Sequence, residues 1–268
     1  NYSSCRTKFK GKIIFDKMTK LDILVIAAHP DDAELGCSGT IAAHVAKGFK
    51  VGIVDLTKGE MGTRGTPETR IQEAEEASKI LGLTARENLG FSDVFFSDDT
   101  AHQHELIKVI RKYRPDIVLA NAISDRHPDH GKGASLATHA CFMSGLRKIE
   151  SELDGVVQEP WRPKFVYHYI QNNYIQPDFI FDISEFWETK VASIMAFKSQ
   201  FYDPSSQEPA SFISSPEFLQ FVESRAREFV SSPTVGDVGK FGHRILTKYG
   251  EGFTVERFIG INDLFDLK

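Results

Sequence analysis

The chain has 268 residues, of which 41% are hydrophobic, and its formal net charge is −5 at pH 7. This length and composition predict one large domain, or one domain with a small appendage. The negative charge argues against a general nucleic-acid-binding surface. The absence of any run of roughly 18 apolar residues argues against a membrane-spanning helix.

The three cysteines, Cys5, Cys37 and Cys141, are widely spaced and form no Cys-x-x-Cys pair. This pattern indicates neither a disulfide framework nor a thiolate zinc site. We therefore expect the protein to work in a reducing cytoplasm.

Residues 1–20 are predicted to form an N-terminal extension, and residues 21–268 a single domain. Residues 1–17 are basic and contain no long apolar core, so they do not have the pattern of a secretory signal. Met18 precedes the first predicted strand and is expected to lie close to the working start. A lipid-modified Cys5 is the alternative, although no apolar stretch precedes that residue.

The first half of the chain alternates between apolar runs typical of buried strands and segments with helical spacing. Predicted strands cover residues 21–28, 51–56, 85–89 and 117–120. Predicted helices cover residues 36–47, 67–81, 106–113 and 131–149. This alternation predicts βαβ units, and hence a Rossmann-like α/β fold with a mostly parallel sheet and helices on both faces.

The second half is less regular. Predicted strands cover residues 165–170 and 179–183, and predicted helices cover residues 185–201 and 216–230. Residues 231–249 are loop-like, and Gly250-Glu251-Gly252 indicates a turn. We expect these segments to form a C-terminal cap of short strands and helices on the same domain.

The first strand ends abruptly at His29-Pro30-Asp31-Asp32. Pro30 cannot donate to a strand ladder and disfavours helix at the residue before it. Three side chains with metal or proton chemistry therefore follow the carboxyl end of a buried strand. In open α/β sheets, ligands bind in the crevice at this end of the strands.

A second cluster of the same design, His127-Pro128-Asp129-His130, follows the strand predicted at residues 117–120. The two clusters together predict one site assembled from two strand ends. His29, Asp32 and His130 would supply two imidazoles and one carboxylate, which leaves a coordination position open as in hydrolytic zinc sites. The set suits Zn²⁺, but equally Fe²⁺, Mn²⁺ or Co²⁺. The alternative is that His29 and Asp32 only cap the strand and the next helix.

Both clusters resemble the motifs of the LmbE-like, or PIG-L-type, metal-dependent N-deacetylases. Further segments resemble the branch of that family that deacetylates N-acetylglucosaminyl-malate in bacillithiol biosynthesis. The resemblance extends from about residue 21 to the C-terminus. The segments that carry it are Ala28-His29-Pro30-Asp31-Asp32-Ala33-Glu34, His127-Pro128-Asp129-His130, Gly59-Glu60-Met61-Gly62-Thr63-Arg64-Gly65, Val166-Tyr167-His168-Tyr169-Ile170, Lys198-Ser199-Gln200-Phe201-Tyr202, Phe212-Ile213-Ser214-Ser215-Pro216-Glu217 and Tyr249-Gly250-Glu251-Gly252-Phe253.

The resemblance implies a division of labour among these side chains. It makes Asp31 the general base, and it makes Asp32 and His130 metal ligands together with His29. His127 and Asp129 would form a pair in which the carboxylate holds the imidazole and favours its protonated form. The alternatives are a helix-capping role for Asp31 and a solvated loop position for His127.

Three further residues are candidates for substrate binding. Arg64 and Arg126 suit a carboxylate, and malate carries two of them. For Arg64, a role in the structure of its glycine-rich loop is the alternative, and Arg70 on the next helix is expected to be an internal ion-pair partner. His168 alternates with two tyrosines along a strand, so it either lines the pocket or is a buried structural histidine.

The leading hypothesis is therefore a metal-dependent hydrolase that removes the N-acetyl group from a small-molecule sugar conjugate, namely N-acetylglucosaminyl-malate. A deacetylase of another N-acetylglucosamine compound, such as a chitooligosaccharide or a lipid-linked sugar, is the alternative within the same class. A nucleotide-binding α/β module is the alternative from another class, but neither Gly-x-Gly-x-x-Gly nor a Walker motif follows the first strand. By resemblance, we expect a homo-oligomer.

Overall fold

The computed structural model of the chain describes residues 19–230, 247–260 and 263. Nearly all of the predicted N-terminal extension, including Cys5 and Met18, lies outside these ranges, as does most of the loop predicted at residues 231–249. The division into an extension and a domain therefore stays a prediction.

A seven-stranded sheet forms the centre of the fold, with the strand order β3-β2-β1-β4-β7-β9-β8. A short antiparallel hairpin, β5-β6, stands apart from it. The strands are β1 Ile23–Ala27, β2 Val51–Thr57, β3 Ala85–Phe91, β4 Ile117–Ala120, β5 Glu152–Leu153, β6 Val156–Val157, β7 Phe165–Tyr169, β8 Phe179–Asp182 and β9 Gly250–Val255. The helices are α1 Asp32–Ala46, α2 Pro67–Leu81, α3 Thr100–Tyr113, α4 Pro128–Met143, α5 Trp187–Met195 and α6 Phe218–Val230, with a 3-10 turn at Ser184–Phe186.

The pairs β1-β2, β1-β4, β2-β3 and β4-β7 are parallel, whereas β9 runs antiparallel to both of its neighbours. Alternate side chains of β1 enter two different cores. Ile23 and Val25 pack with residues of α1, while Leu24 and Ile26 pack with residues of α3 and α4. This arrangement explains the unbroken apolar run of β1 and confirms the predicted parallel sheet with helices on both faces.

Local signals define α2 as the sequence predicted. The Thr66 side chain accepts a hydrogen bond from the Thr69 N–H, Pro67 is the first helical residue, and Gly82 ends the helix at φ 67°. By contrast, α1 and α4 begin earlier than predicted, at Asp32 and Pro128. Both His-Pro-Asp clusters therefore lie at the N-terminus of a helix, where the positive end of the helix dipole favours anionic groups.

The predicted turn at Gly250-Glu251-Gly252 is wrong, because these residues belong to β9. A Cβ added at Gly250 would lie 2.6 Å from Val230 Cγ1, and one added at Gly252 would lie 2.8 Å from Phe229 Cε1. The glycines thus allow α6 to pack closely on the sheet. The strands predicted for a C-terminal cap likewise extend the central sheet, because β7 pairs with the open side of β4.

The order in which strands are added to the sheet reverses between β1 and β4, although the two strands are parallel. After β1 the sheet grows through β2 and β3 on one side, and β4 then returns to the other side of β1. The pairing of Ile26 with Ala120 aligns the carboxyl ends of the two strands. This topological switch point is where open α/β sheets form their binding crevice. None of the helices in the described ranges is long and apolar enough to cross a membrane.

The close packing of α6 on β9 yields a prediction for stability. Gly252→Ala should lower the free energy of unfolding by about 1–3 kcal/mol, because the added methyl group overpacks the contact with Phe229. Gly260→Ala is the control, since a Cβ there meets nothing within 4 Å. Urea denaturation measures both variants, and equal midpoints would contradict the packing role of Gly252.

Candidate metal and catalytic site

The two His-Pro-Asp clusters meet at the switch point. His29 follows β1, His127 is the N-cap of α4, and His130 lies in its first turn. The ring centroids of His29 lie 4.8 Å from His127 and 5.8 Å from His130, and those of His127 and His130 are 5.4 Å apart. Residues about 100 positions apart in the chain therefore share one site.

Asp32 lies between two of these imidazoles. One carboxylate oxygen is 3.3 Å from His29 Nδ1, and the other is 3.1 Å from His130 Nε2. All three side chains are buried. The structure thus brings the three predicted metal ligands together, with one ring nitrogen of each histidine facing the carboxylate.

The opposite ring nitrogens also face carboxylates. His29 Nε2 lies 2.9 Å from Asp93 Oδ1, and His130 Nδ1 lies 2.6 Å from Asp125 Oδ2. A carboxylate behind an imidazole fixes its tautomer and orientation, as in many metal sites. Neither Asp93 nor Asp125 is among the site residues predicted from the sequence. Each follows the carboxyl end of a strand, β3 or β4, and this position was the signal that could have identified them.

Besides the two imidazoles, three donors surround the Asp32 carboxylate. The backbone N–H of His29 and Nδ2 of Asn121 donate to Oδ2, at 3.0 and 3.1 Å. Gln171 Nε2 donates to Oδ1 at 2.7 Å. Although burial opposes ionisation, the contacts with His130 and His29 hold the pKa of Asp32 well below its usual range. The group is therefore an anion, as a ligand carboxylate must be.

The donor set fits a divalent cation. Burial opposes protonation of His130, yet Asp32 and Asp125 raise its pKa to about 9. The His130 ring therefore holds a proton that a cation bound to the same donors would replace. Two nitrogens and one carboxylate, each backed by hydrogen-bonding groups, match the ligand sets of zinc and related metals.

Two other groups of close ligand atoms overlap this set. The ligand atoms of His29, His127 and His130 lie within 4.8 Å of one another, as do those of His29, Asp93 and Asp129. In the second group Asp129 already meets a cation, because Lys132 Nζ lies 2.6 Å from its Oδ1. We therefore favour a metal site on the side of His29 that faces Asp32.

Asp31 lies beside the ligand set in a strained backbone conformation, with φ 108°. Its Oδ2 is 2.9 Å from Arg70 Nη2, and Arg70 also donates to the carbonyl oxygen of Pro30. Arg70 is thus the internal ion-pair partner that the sequence predicted. Burial raises the pKa of Asp31 to about 7, against the opposing effect of Arg70. The capping alternative for Asp31 is wrong, since its side chain makes no capping hydrogen bond.

The predicted pairing of the Asp129 carboxylate with His127 is wrong. Asp129 Oδ2 accepts from the Val94 N–H at 2.8 Å and lies 3.4 Å from His29 Nε2. His127 Nδ1 instead accepts from the backbone N–H of Asp129, at 3.3 Å. Burial and the neighbouring histidines lower the pKa of His127. The ring is therefore neutral, with its proton on Nε2.

Arg64 is buried, and its guanidinium is hydrogen-bonded to other groups of the protein. Its guanidinium donates to the carbonyl oxygens of Ser199 and Pro209, at 2.7 and 2.9 Å, and to Ser206 Oγ at 2.8 Å. These contacts join the loop after β2 to the segment after α5. They leave little of the guanidinium for a substrate carboxylate, so the geometry favours the structural alternative for this residue.

His168 is also structural in its contacts. It is 1% exposed, its Nδ1 donates to the carbonyl oxygen of Asn121 at 2.9 Å, and its Nε2 lies 3.3 Å from Thr138 Oγ1. Arg126 differs from both other candidates because it is exposed. It lines a pocket that adjoins His130, and its guanidinium lies 6.0 Å from the ring centroid of Phe212.

This pocket lies between the switch point and α6, and most of its wall is apolar. Gln171 and His130 connect it to the ligand set, and Arg126 contributes a positive charge. The apolar residues of the wall are Leu35, Ile170, Ile213, Phe218, Phe221, Val222, Ala226 and Phe229.

The two arginines can be separated by their effect on stability. Arg64→Ala should lower the free energy of unfolding by about 2–3 kcal/mol, because the hydrogen bonds of a buried charged donor to two carbonyl groups and a hydroxyl group are lost. Arg126→Ala, at an exposed position, should change it by less than about 0.5 kcal/mol. Chemical denaturation of both variants tests this, and an unchanged Arg64→Ala variant would restore Arg64 as a candidate for substrate binding.

Comparisons with known proteins show similarity to deacetylases. The family model described as "PIG-L: GlcNAc-PI de-N-acetylase" matches residues 24–141. A diacetylchitobiose deacetylase from Thermococcus kodakarensis is 30% identical over 189 residues, which cover 67% of this chain and 70% of the relative.

Two solved structures share the fold over most of the chain. A conserved protein from Thermus thermophilus is 37% identical with a TM-score of 0.74, over 90% of this chain and 98% of that one. The N,N'-diacetylchitobiose deacetylase from Pyrococcus horikoshii is 27% identical with a TM-score of 0.71, over 92% and 88%. The chain therefore belongs to the PIG-L, or LmbE-like, deacetylase family.

Proposed function

We propose that the protein is a metal-dependent hydrolase that removes the N-acetyl group from an N-acetylglucosamine conjugate. The observation that carries this proposal is the convergence of His29, Asp32 and His130 at the switch point, with Asp31 beside them. A nucleotide-binding module has no need for this set of buried imidazoles and carboxylates.

His29 Nδ1, Asp32 and His130 Nε2 would hold the metal, which we propose to be Zn²⁺, with Fe²⁺ as the alternative. When bound, such an ion supplies Lewis-acid chemistry, because it polarises a carbonyl oxygen and lowers the pKa of a water molecule. Asp93 and Asp125 would keep both imidazoles in the required orientation.

Asp31 is the proposed general base. Its carboxylate is adjacent in sequence to a ligand and is held by Arg70 at 2.9 Å, outside the helix cap. It would accept a proton from the water that attacks the acetyl carbonyl carbon. When the C–N bond breaks, the same carboxyl group can return that proton to the leaving amine, so that the products are acetate and the free amino sugar.

His127 is the proposed donor to the carbonyl oxygen as negative charge develops there. Because its Nδ1 accepts the Asp129 N–H, the neutral ring carries its proton on Nε2. A neutral donor of this kind stabilises an oxyanion without itself losing a proton. Asp129 would act indirectly. Its carboxylate is held by the Val94 N–H and Lys132 and lies 3.4 Å from His29 Nε2, so it helps to orient the His29 ring.

For the substrate we propose N-acetylglucosaminyl-malate, which would place the protein in bacillithiol biosynthesis. The sequence segments of that branch support this choice, and Arg126 supplies a cation in the pocket beside His130. Diacetylchitobiose is the second candidate, because the relatives from Thermococcus kodakarensis and Pyrococcus horikoshii bear that specificity in their names. A lipid-linked N-acetylglucosamine is a third.

We also propose that the protein forms a homo-oligomer in the cytoplasm. Exposed apolar side chains lie on the loops around the crevice and could be covered by another copy; these are Met61, Phe95, Ile123 and Phe212. Cys37 and Cys141 are buried free thiols, which is compatible with a reducing compartment. Light scattering of the purified protein measures the oligomeric state.

The catalytic proposal predicts that Asp31→Asn lowers kcat for acetate release by about 100-fold or more, because the base is lost. Metal content should stay at the wild-type level, since Asp31 is not a proposed ligand. Acetate is measured with N-acetylglucosaminyl-malate, diacetylchitobiose and N-acetylglucosamine, with and without a chelator. Glu76→Gln, at an exposed position of α2 where the side chain pairs with Lys79, serves as a control and should keep full activity.

Release from the malyl conjugate alone would support the bacillithiol assignment. Release from diacetylchitobiose alone would support the proposed reaction but show that diacetylchitobiose, and not the malyl conjugate, is the substrate. If metal-loaded protein releases acetate from none of these compounds, the deacetylase proposal fails.

The substrate proposal also predicts a selective effect of Arg126. Arg126→Ala should raise KM for N-acetylglucosaminyl-malate by about 10-fold or more, while kcat/KM for N-acetylglucosamine stays within about twofold, because only the former carries carboxylates. Steady-state kinetics with both substrates checks this. An equal loss for both would show that Arg126 does not recognise the malyl group.

A further inference from the structure

One short loop contacts the proposed metal ligand Asp32 directly and the ligand His130 through Asp125. It follows β7 and consists of Gln171, Asn172 and Asn173, called here the β7 loop. Gln171 Nε2 donates to Asp32 Oδ1 at 2.7 Å. Asn173 N–H donates to Asp125 Oδ1 at 2.7 Å, and Asn172 N–H donates to Asp125 Oδ2 at 3.3 Å.

Asp125 connects the β7 loop to the proposed metal site, because its Oδ2 also accepts a hydrogen bond from His130 Nδ1 at 2.6 Å. The Asp125 side chain is fully buried, so the backbone N–H groups of the β7 loop are a substantial part of what stabilises its charge. A displaced β7 loop would therefore disturb both Asp32 and His130.

Arg225 on α6 contacts the β7 loop. Its Nη2 donates to the carbonyl oxygen of Asn172 at 2.8 Å. The side chain is 15% exposed, and Glu228 Oε2 lies 3.1 Å from its Nη1. The guanidinium also lies 5.5–6.0 Å from the ring centroids of three aromatic residues, Tyr174, Phe221 and Phe229.

We propose that Arg225 is a positioning residue for the metal site, which acts through the β7 loop on Asp32 and His130. The inference rests on the proposed metal-dependent function. A planar guanidinium can lie among aromatic rings while it donates to a carbonyl oxygen, so the position suits arginine better than lysine. Through this contact, α6 controls how well two ligands from the first half of the chain are oriented.

Metal affinity measured without substrate tests this proposal. Apo protein is titrated with Zn²⁺ in competition with a chromophoric chelator, and the visible spectrum of the Co²⁺-loaded protein is recorded. Arg225→Gln should weaken Zn²⁺ binding by about 10- to 100-fold, the range for loss of a group that orients metal ligands, and should alter the Co²⁺ spectrum. Arg225→Lys should recover part of the affinity.

The matched control is Arg227→Gln, on the same helix. Its side chain is 49% exposed and contacts Glu223 and Tyr249, away from the β7 loop, so affinity and spectrum should equal those of the wild type. Wild-type affinity and spectrum in a folded Arg225→Gln protein would overturn the proposal. Thermal unfolding of the apo proteins shows that each variant is folded.

A second variant covers the case in which Arg225→Gln fails to fold. Gln171→Ala removes the contact of the β7 loop with Asp32 and leaves α6 intact, and it should also weaken Zn²⁺ binding. If both variants fold, their effects should be less than additive, because they act through one loop. Full additivity would contradict a shared route.

This experiment separates the inference from the proposed function. A wild-type protein that binds Zn²⁺ tightly but releases no acetate would defeat the deacetylase proposal and leave the role of Arg225 testable by affinity. A wild-type protein that binds none of the divalent metals would overturn the positioning role itself.

Discussion

The buried carboxylate of Asp32 is the interaction on which the site depends. A charge that is removed from water is costly unless it is fully paired and hydrogen-bonded. Asn121 from the end of β4 and Gln171 from the end of β7 donate to it, and two imidazoles face it. Three adjacent strands therefore have to be in register for this anion to be stable. The same register brings His29 and His130 together, so the stability of the sheet and the geometry of the proposed metal site are one constraint.

The second half of the chain stabilises the helix that carries Asp32. Helix α1 is interrupted at Cys37, where φ is −148°, so the N–H groups of Gly39 and Thr40 need other acceptors. The buried carboxylate of Glu251 accepts from both, at 3.0 and 2.8 Å, and pairs with Lys190 at 2.7 Å. A side chain of strand β9 thus caps the part of α1 that follows the interruption at Cys37. Together with Arg225, this contact makes the C-terminal half part of the site's framework.

The position of Asp31 shows how the proposed chemistry constrains the backbone. A non-glycine residue at φ 108° is unfavourable and persists only where the surroundings enforce it. Arg70 enforces it by binding both the Asp31 carboxylate and the carbonyl oxygen of Pro30. The consequence is that Asp31 turns away from the helix cap while Asp32 begins the helix. Two successive carboxylates therefore lie in different environments, as their proposed roles of base and ligand require.

Local patterns in the chain were enough to predict the parallel α/β architecture, the limits of α2 and the meeting of the two His-Pro-Asp clusters. Each of these depends on periodicity, on proline or glycine signals, or on the rule that strand ends converge. The partners of those clusters became known only from the folded chain. Asp93 behind His29, Asp125 behind His130 and the engagement of Arg64 by backbone carbonyls all depend on which loops the sheet order brings together. The strand at Gly250–Val255 was likewise hidden, since its glycines indicate a turn until the packing of α6 against them is known. Such contacts join residues far apart in the chain. A position after a strand end makes Asp93 and Asp125 candidates, but only the tertiary structure decides which histidine each of them contacts.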